Sequence, residues 1–239
     1  SSDVCSSDLG NNNLKPEYLR VTPEEIETAF RGLSTNALNA LEMASVRIHS
    51  YYEKLLPHDV NFTDKSGVEL GARWLPLDRA GIYIEGSYPS AVLMHAVPAR
   101  VAGVGRIVLV TPATNNQINP AILAAAKICG VTEIYRVGGA ESIAALTYGT
   151  KTIAPVDKIF GSGSEAVLEA KRQLFGHVGI DATVSGPSEI LVIADEKNNP
   201  QHIAADLLAQ AEHDEMSRPM LVTTSQSLAQ QIISSVYEM

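Results

Sequence analysis

The stretch Arg106-Ile-Val-Leu-Val-Thr111 is a short apolar run, followed by a helical pattern over residues 120–129 and a second run, Glu133-Ile-Tyr-Arg-Val137. Both runs have the length of a buried strand and contain β-branched residues. A strand, a helix and a second strand in this order predict two parallel strands joined by a crossover helix. This stretch decides the fold class, because the same alternation continues on both sides of it.

Short apolar runs and helical patterns alternate over most of the chain. The predicted strands cover residues 81–84, 106–111, 133–137, 157–160, 190–194 and 220–224. The predicted helices cover residues 89–102, 120–129, 140–148, 164–175, 200–212 and 228–237. The pattern predicts an α/β protein with two Rossmann-like parallel-sheet domains, the second of them incomplete. Ligands of such sheets bind beyond the carboxyl ends of the strands.

Two further helices are predicted ahead of the first strand. Thr22-Pro-Glu-Glu25 combines an N-cap, a Pro at the first helical position and a Glu at the third, which is a capping box. A second helix is predicted over residues 36–52, whereas residues 57–71 are polar and are expected to be irregular. Residues 1–9 contain the triplet Ser-Ser-Asp twice and resemble adapter sequence, so we exclude them from the fold.

Composition limits the classes of function. The chain has 239 residues, a net charge of −9 and no run of Lys or Arg, so binding to nucleic acid or to an anionic membrane is not expected. No apolar stretch is long enough to span a membrane. Cys5 and Cys129 have no second Cys at metal-site spacing, which predicts a reducing, cytoplasmic setting. The expected partners are small molecules or other protein chains.

Three glycine-containing segments have both a structural and a functional interpretation. Gly161-Ser-Gly-Ser-Glu-Ala166 follows a strand and matches G-x-G-x-x-G/A, with Asp181 near the position of a ribose-binding acid. It is either a dinucleotide fingerprint or a turn that needs glycine only for its backbone, but in both cases its amides can face an anion. Gly138-Gly-Ala140 has the same two interpretations. Ser185-Gly-Pro-Ser188-Glu189 is either an ordinary turn or a source of polar ligand contacts.

The run Asp206-Leu-Leu-Ala-Gln210-Ala-Glu-His213 carries a candidate metal pair. Gln210 and His213 are three residues apart in a predicted helix and therefore share a face. An amide and an imidazole suit a cation such as zinc, but one helix cannot surround the ion, so further ligands must come from elsewhere. His202 and Asp206 extend the same face, which a polar surface would equally explain.

Longer motifs resemble the histidinol dehydrogenase family. They are Leu77-Asp-Arg-Ala-Gly-Ile-Tyr83-Ile, Tyr88-Pro-Ser-Ala-Val-Leu-Met94, Val137-Gly-Gly-Ala140, Gly186-Pro-Ser-Glu-Ile-Leu-Val-Ile-Ala-Asp195 and Leu208-Ala-Gln-Ala-Glu-His213-Asp. The resemblance covers the chain after the adapter-like residues. It implies an enzyme that oxidises L-histidinol to L-histidine through the aldehyde in two NAD-dependent steps, with one zinc ion per site, as an intertwined homodimer.

The resemblance also implies roles for individual residues. The positions that match zinc ligands, which also bind substrate, are Gln210 and His213, and Ser188 matches a residue that contacts substrate. The positions that match NAD contacts are Tyr83, Glu141 and Ser164. The family's other two zinc ligands and its catalytic Glu–His pair lie farther along a longer chain. We therefore assign no catalytic residue here and expect a fragment that is inactive alone.

The expected domain organisation is discontinuous. We expect residues 81–187 to form a Rossmann-like NAD-binding domain. Residues 10–80 and 188–239 are expected to form a second, truncated domain for substrate and zinc, and residues 1–9 are the adapter-like tail.

The chain departs from the family pattern at three places where NAD is expected. The loop after the first strand is usually Pro-Gly-Gly in the family, but here it is Glu85-Gly86 and is several residues shorter. Gly161-Ser-Gly-Ser164 replaces Gly-Pro-Gly-Asn, and Glu141 replaces a Gln. An added carboxylate and a shorter side chain predict weaker NAD binding. Two alternatives stay open: a paralogue that oxidises another amino or sulfonated alcohol, and a non-catalytic protein that keeps the fold.

Overall fold

A computed structural model of the chain describes residues 18–86, 88–182, 189–212 and 216–239. These ranges contain eight α-helices and nine β-strands, which is the α/β class predicted from the sequence. The chain divides into two compact units, Ser1–Val184 and Ser185–Met239. The discontinuous domain division expected from the sequence stays a prediction.

The first unit contains most of the secondary structure. Its helices are α1 (Pro23–Gly32), α2 (Thr35–Glu53), α3 (Pro89–Val101), α4 (Pro120–Ile128), α5 (Gly139–Tyr148) and α6 (Glu165–Leu174). Its strands are β1 (Val60–Thr63), β2 (Glu69–Ala72), β3 (Arg79–Tyr83), β4 (Arg106–Thr111), β5 (Glu133–Arg136), β6 (Lys158–Phe160) and β7 (Gly179–Ile180). The capping box at Thr22 is present, with both of its hydrogen bonds. None of the helices in the described ranges is long and apolar enough to cross a membrane.

The structure corrects the prediction at two places. Residues 57–71 were expected to be irregular, but they contain β1 and most of β2, which form an antiparallel hairpin. Asp64 stabilises its turn by accepting hydrogen bonds from the backbone N–H groups of Ser66 at 2.8 Å and Val68 at 3.0 Å. Both strands are exposed along their whole length, so no buried face marks them in the sequence. The second correction is β7, whose two residues are too few to show a period.

The central sheet of this unit is parallel and has the strand order β5-β4-β3-β6-β7. Successive side chains of a strand point to opposite faces. Ile82 and Leu109 therefore pack in one core with α1–α4, and Tyr83 and Val110 pack in a second core with α5 and α6. Because both faces are covered, the strands consist of continuous apolar runs. The strand order reverses between β3 and β6, which makes this seam the topological switch point of the sheet.

The second unit is smaller. It contains β8 (Glu189–Ala194), α7 (Pro200–Ala211), β9 (Arg218–Thr223) and α8 (Gln226–Glu238). The two strands are parallel, and each helix follows its strand as predicted. One face of this sheet packs with the two helices in a small core. The apolar side chains of the opposite face are exposed: Leu191, Ile193, Met220 and Val222.

Candidate functional site

The carboxyl ends of β3 and β6 lie side by side at the switch point. Ile82 pairs with Phe160, so the loops that follow the two strands start next to each other. Gly161 has a φ of +108°, and a Cβ on this residue would lie 2.0 Å from the carbonyl oxygen of Tyr83. No larger residue fits there without moving backbone. We define the switch-point site as the cluster Tyr83, Glu85, Gly139, Glu141, Gly161, Gly163 and Ser164.

Tyr83 lies at the centre of the switch-point site. It is 1% exposed, and its hydroxyl oxygen accepts a long hydrogen bond from the N–H of Gly139 at 3.4 Å. Burial raises the pKa of Tyr83 to about 12, Glu85 and Glu141 act in the same direction, and the Gly139 N–H acts against them. The hydroxyl therefore keeps its proton at neutral pH and can donate a hydrogen bond.

The start of α6 faces a carboxylate. Ser164 is the N-cap residue, but its side chain makes no capping hydrogen bond. Instead, its backbone N–H donates to Oε2 of Glu85, which is in the loop after β3. Gly163 leaves room for this contact, because a Cβ there would lie 2.6 Å from Tyr83 Cε1 and 2.8 Å from Glu85 Oε2. The unpaired N–H groups and the dipole of a helix start favour a negative charge, and here the chain itself supplies it.

The start of α5 has two glycines: Gly138 is needed for space, and Gly139 is favoured by its positive φ. A Cβ on Gly138 would lie 2.7 Å from Cβ of Pro112. Gly139 has a φ of +67°, and a Cβ on it would lie 2.6 Å from Oε2 of Glu141. Glu141 is in the first turn of α5, close enough to Tyr83 to raise the pKa of its hydroxyl. The structure thus brings two of the predicted NAD residues, Tyr83 and Glu141, together.

A buried ion pair positions the loop that precedes α6. Lys171 has a side chain that is 0% exposed, and its Nζ donates to the carbonyl oxygen of Gly161 and to Oδ1 of Asp181, the latter at 2.5 Å. Oδ2 of Asp181 accepts from the N–H of Gly161 at 2.8 Å. Burial raises the pKa of Asp181, but the hydrogen bonds from Lys171 and Gly161 outweigh it and leave that pKa below its usual range.

These contacts change the interpretation of Asp181. A dinucleotide fingerprint uses its acid to bind the ribose, but this carboxylate is already bonded to Lys171 and to the loop backbone. The geometry favours a positioning role for Asp181. Lys171 was not predicted as a site residue, although the sequence contains a signal for it: it lies four and three residues after Val167 and Leu168, which are buried positions of α6.

An apolar cavity of about 590 Å³ was also not predicted from the sequence. The residues that line it include Trp74, Leu75, Pro98 and Phe160, and also His95. Burial lowers the pKa of His95, while Asp181 raises it and Lys171 lowers it further. The charges of Asp181 and Lys171 therefore act on the imidazole of His95, which lines the cavity.

The other predicted site residues belong to the second unit. Gln210 is half-buried in the last turn of α7, and His202 and Asp206 are exposed on the same helix. Ser188 and His213 lie outside the described residues. Within the described residues, no group of three or more His, Cys, Asp and Glu side chains could hold a metal ion. The assignment of Gln210 and His213 to zinc stays a prediction.

Comparison with known proteins identifies the family. A family model described as histidinol dehydrogenase matches residues 6–239. The chain belongs to the histidinol dehydrogenase family. The match begins within residues 1–9, and their exclusion from the fold stays a prediction.

Individual relatives agree with the family match. Histidinol dehydrogenase 1 from Nostoc sp. is 57% identical over 200 residues, which are 82% of this chain and 46% of that protein. Histidinol dehydrogenase from Gluconobacter oxydans is 48% identical over 226 residues, which are 93% of this chain and 52% of that protein. The crystal structure of histidinol dehydrogenase from Elizabethkingia anophelis matches 92% of this chain and 52% of its own, at 40% identity and a TM-score of 0.85. This chain spans about half the length of the curated relatives it matches.

Proposed function

We propose that this chain is part of a zinc-dependent, NAD-linked enzyme that oxidises L-histidinol to L-histidine through L-histidinal. We further propose that the whole protein works as a cytoplasmic homodimer. Membership of the histidinol dehydrogenase family supports the reaction. The structural observation that carries the proposal is the switch-point site, because open α/β sheets bind ligands at this position.

In this proposal the switch-point site binds NAD through Tyr83, Glu141 and Ser164. The glycines support it, because a Cβ on Gly161 or Gly163 would occupy the space next to Tyr83. Glycine at both positions therefore lets the loop before α6 pack directly against Tyr83. The protonated Tyr83 hydroxyl would donate to a ligand oxygen, and the Lys171–Asp181 pair would hold the Gly161 loop in place. NAD, when bound, supplies the hydride acceptor.

The substrate and zinc are assigned to the second unit. Gln210 and His213 would bind the metal, and Ser188 would contact the substrate. An amide oxygen and an imidazole are ligands that fit a borderline cation. Zinc, when bound, would supply positive charge that orients the amine and imidazole of histidinol. The remaining ligands and a Glu–His acid/base pair are expected from elsewhere in the whole protein, so we expect the 239-residue chain to be inactive alone.

The proposed domains separate the NAD site from the site for substrate and zinc. Residues 81–187 would form the NAD-binding domain, and residues 10–80 together with 188–239 would contribute to the domain for substrate and zinc. The compact five-stranded sheet supports the first part of this assignment.

The test measures NADH formation by the whole protein that contains this chain. We expect two NADH for each L-histidine formed from L-histidinol, and no reaction after zinc is removed by a chelator. Gln210→Ala should lower the activity about 100-fold through loss of a metal ligand. His202→Ala is the matched control, because His202 is exposed on the same helix and should have no effect.

Each part of the proposal can fail separately. Activity that survives zinc removal would contradict the metal assignment. A clear preference for another amino or sulfonated alcohol would contradict the substrate and favour the paralogue. Full activity of Gln210→Ala would show that this residue is not a ligand.

A further inference from the structure

The carboxylate of Glu85 at the start of α6 is a feature that the proposed function does not use. Its Oε2 accepts a hydrogen bond from the backbone N–H of Ser164, which follows it by 79 residues in the chain. Ser164 does not cap the helix with its own hydroxyl. Glu85 is exposed, so this contact, rather than burial, holds the carboxylate in place. The loop after β3 thus supplies the anion for a helix that follows β6.

Gly163 shows that the space beside the Glu85 carboxylate is already filled. A Cβ on Gly163 would lie 2.8 Å from Oε2 of Glu85 and 2.6 Å from Cε1 of Tyr83. A ligand that brings a phosphate to the amide of Ser164 needs the same space and the same N–H group. The phosphate and the carboxylate are both negative, so they cannot share this position favourably.

The charges around the site act against an anion as well. Glu141 lies in the first turn of α5, and Glu165 lies in the first turn of α6. Lys171 is a cation that contacts the loop before α6, but its ammonium is buried and bonded to Gly161 and Asp181. It therefore does not neutralise Glu85.

We propose that Glu85 sets the affinity of this chain for NAD, because its carboxylate occupies the anion position at the start of α6 and must leave before a diphosphate can bind there. This inference rests on the proposed NAD site. When NAD displaces the Glu85 carboxylate, the contact between this carboxylate and α6 is lost. Its negative charge then remains beside the ligand. The exposed loop position allows this movement without disrupting the core.

The test measures the affinity of the full chain for NAD by titration calorimetry, for the wild type and three variants. Glu85→Ala removes the carboxylate and should bind NAD about fivefold more tightly, the gain expected from removing one favourable charge–helix contact of about 1 kcal/mol. Glu85→Gln keeps an amide oxygen for the Ser164 N–H and should give a smaller gain. Glu165→Gln is the matched control: it removes one negative charge in the first turn of α6 without touching the Glu85 contact, and it should change the affinity less than about twofold.

A second measurement first tests the contact between Glu85 and Ser164 without NAD. Amide hydrogen exchange of Ser164 in the free chain should be faster in Glu85→Ala than in the wild type, because the acceptor of this N–H is gone. Adding NAD should slow that exchange again in the variant. Urea unfolding of each variant checks that it is folded.

The outcomes separate this inference from the proposed function. If NAD binds the wild type and all variants equally, the NAD site stands and the role of Glu85 is wrong. Equal gains from Glu85→Ala and Glu165→Gln would also overturn it, because the effect would then be one of overall charge. If no variant binds NAD, the proposed NAD site is wrong and the inference falls with it.

Discussion

β4 and β9 have similar sequences and very different surroundings. Arg106-Ile-Val-Leu-Val-Thr111 and Arg218-Pro-Met-Leu-Val-Thr223 share Arg, Leu, Val and Thr at matching positions. Val110 is 0% exposed in β4, whereas Val222 is 52% exposed in β9. The same tripeptide, Leu-Val-Thr, is thus a core segment in one unit and a half-exposed segment in the other.

The neighbours of each strand explain the difference. β4 pairs with β3 and β5 and has a core on both of its faces. β9 pairs with β8, and the small core of the second unit covers one face of this sheet. Arg106 forms a 2.6 Å ion pair with Glu133, whereas Arg218 is exposed. Burial is therefore a property of the packing around a strand and cannot be inferred from the strand alone.

The largest effect is expected where the first unit buries a charge. Lys171→Met should lower the free energy of unfolding of this unit by about 3 kcal/mol, because it removes the cation paired with the partly buried carboxylate of Asp181 and the side-chain donor to the carbonyl of Gly161. Lys151→Met, at an exposed position, is the control and should have little effect. Urea unfolding measures both. A loss below about 1 kcal/mol for Lys171→Met would mean that the buried pair contributes little.

The valines of the two strands test the comparison directly. Val110→Ala should cost about 2.5 kcal/mol, because it leaves a cavity in a core that is closed on both sides. Val222→Ala should cost less than about 0.5 kcal/mol, because this side chain is half exposed. Amide hydrogen exchange of β4 and β9 reports the two units separately. Equal costs would show that something covers the exposed face of β9 in solution.

The threonines at the ends of the two strands should respond with opposite signs. The Thr111 hydroxyl is buried and has no hydrogen-bond partner among the described residues, so Thr111→Val should stabilise the first unit by about 1 kcal/mol. Oγ1 of Thr223 accepts from the N–H of Ser225 at 3.1 Å, so Thr223→Val should destabilise the second unit by about 0.5 kcal/mol. Thermal unfolding and hydrogen exchange of the two variants measure these changes. Destabilisation by Thr111→Val would indicate that its hydroxyl does have a partner.

Most of the elements could be predicted because their signals are local. The capping box at Thr22, the apolar runs of the strands and the helical periods mark the elements that the structure contains, with ends that agree within two residues in the first unit. The β1–β2 hairpin escaped prediction because it is exposed and buries no face. The strand order across the switch point could also not be predicted from neighbouring residues, because it depends on how the helices cover the two faces of the sheet.

The candidate site also has residues that could be predicted from the sequence and contacts that could not. Tyr83, Glu141 and Ser164 could be named from motifs that resemble the family, and the structure brings Tyr83 and Glu141 together through the start of α5. The contact between Glu85 and Ser164 could not be named, because its partners are 79 residues apart and meet only where β3 and β6 pair. The interpretation of Asp181 changed for the same reason, because its bond to Lys171 is visible only in the tertiary structure.

The sequence by itself determined the fold class, the family and the positions of most helices and strands, because periodicity, capping and motif order are written in neighbouring residues. Tertiary structure alone decided which strands are buried on both faces. It also decided that Asp181 bonds to Lys171 and that Glu85 faces the start of α6. These are contacts between distant residues, whose free energies depend on the solvent exclusion and charge geometry that packing creates.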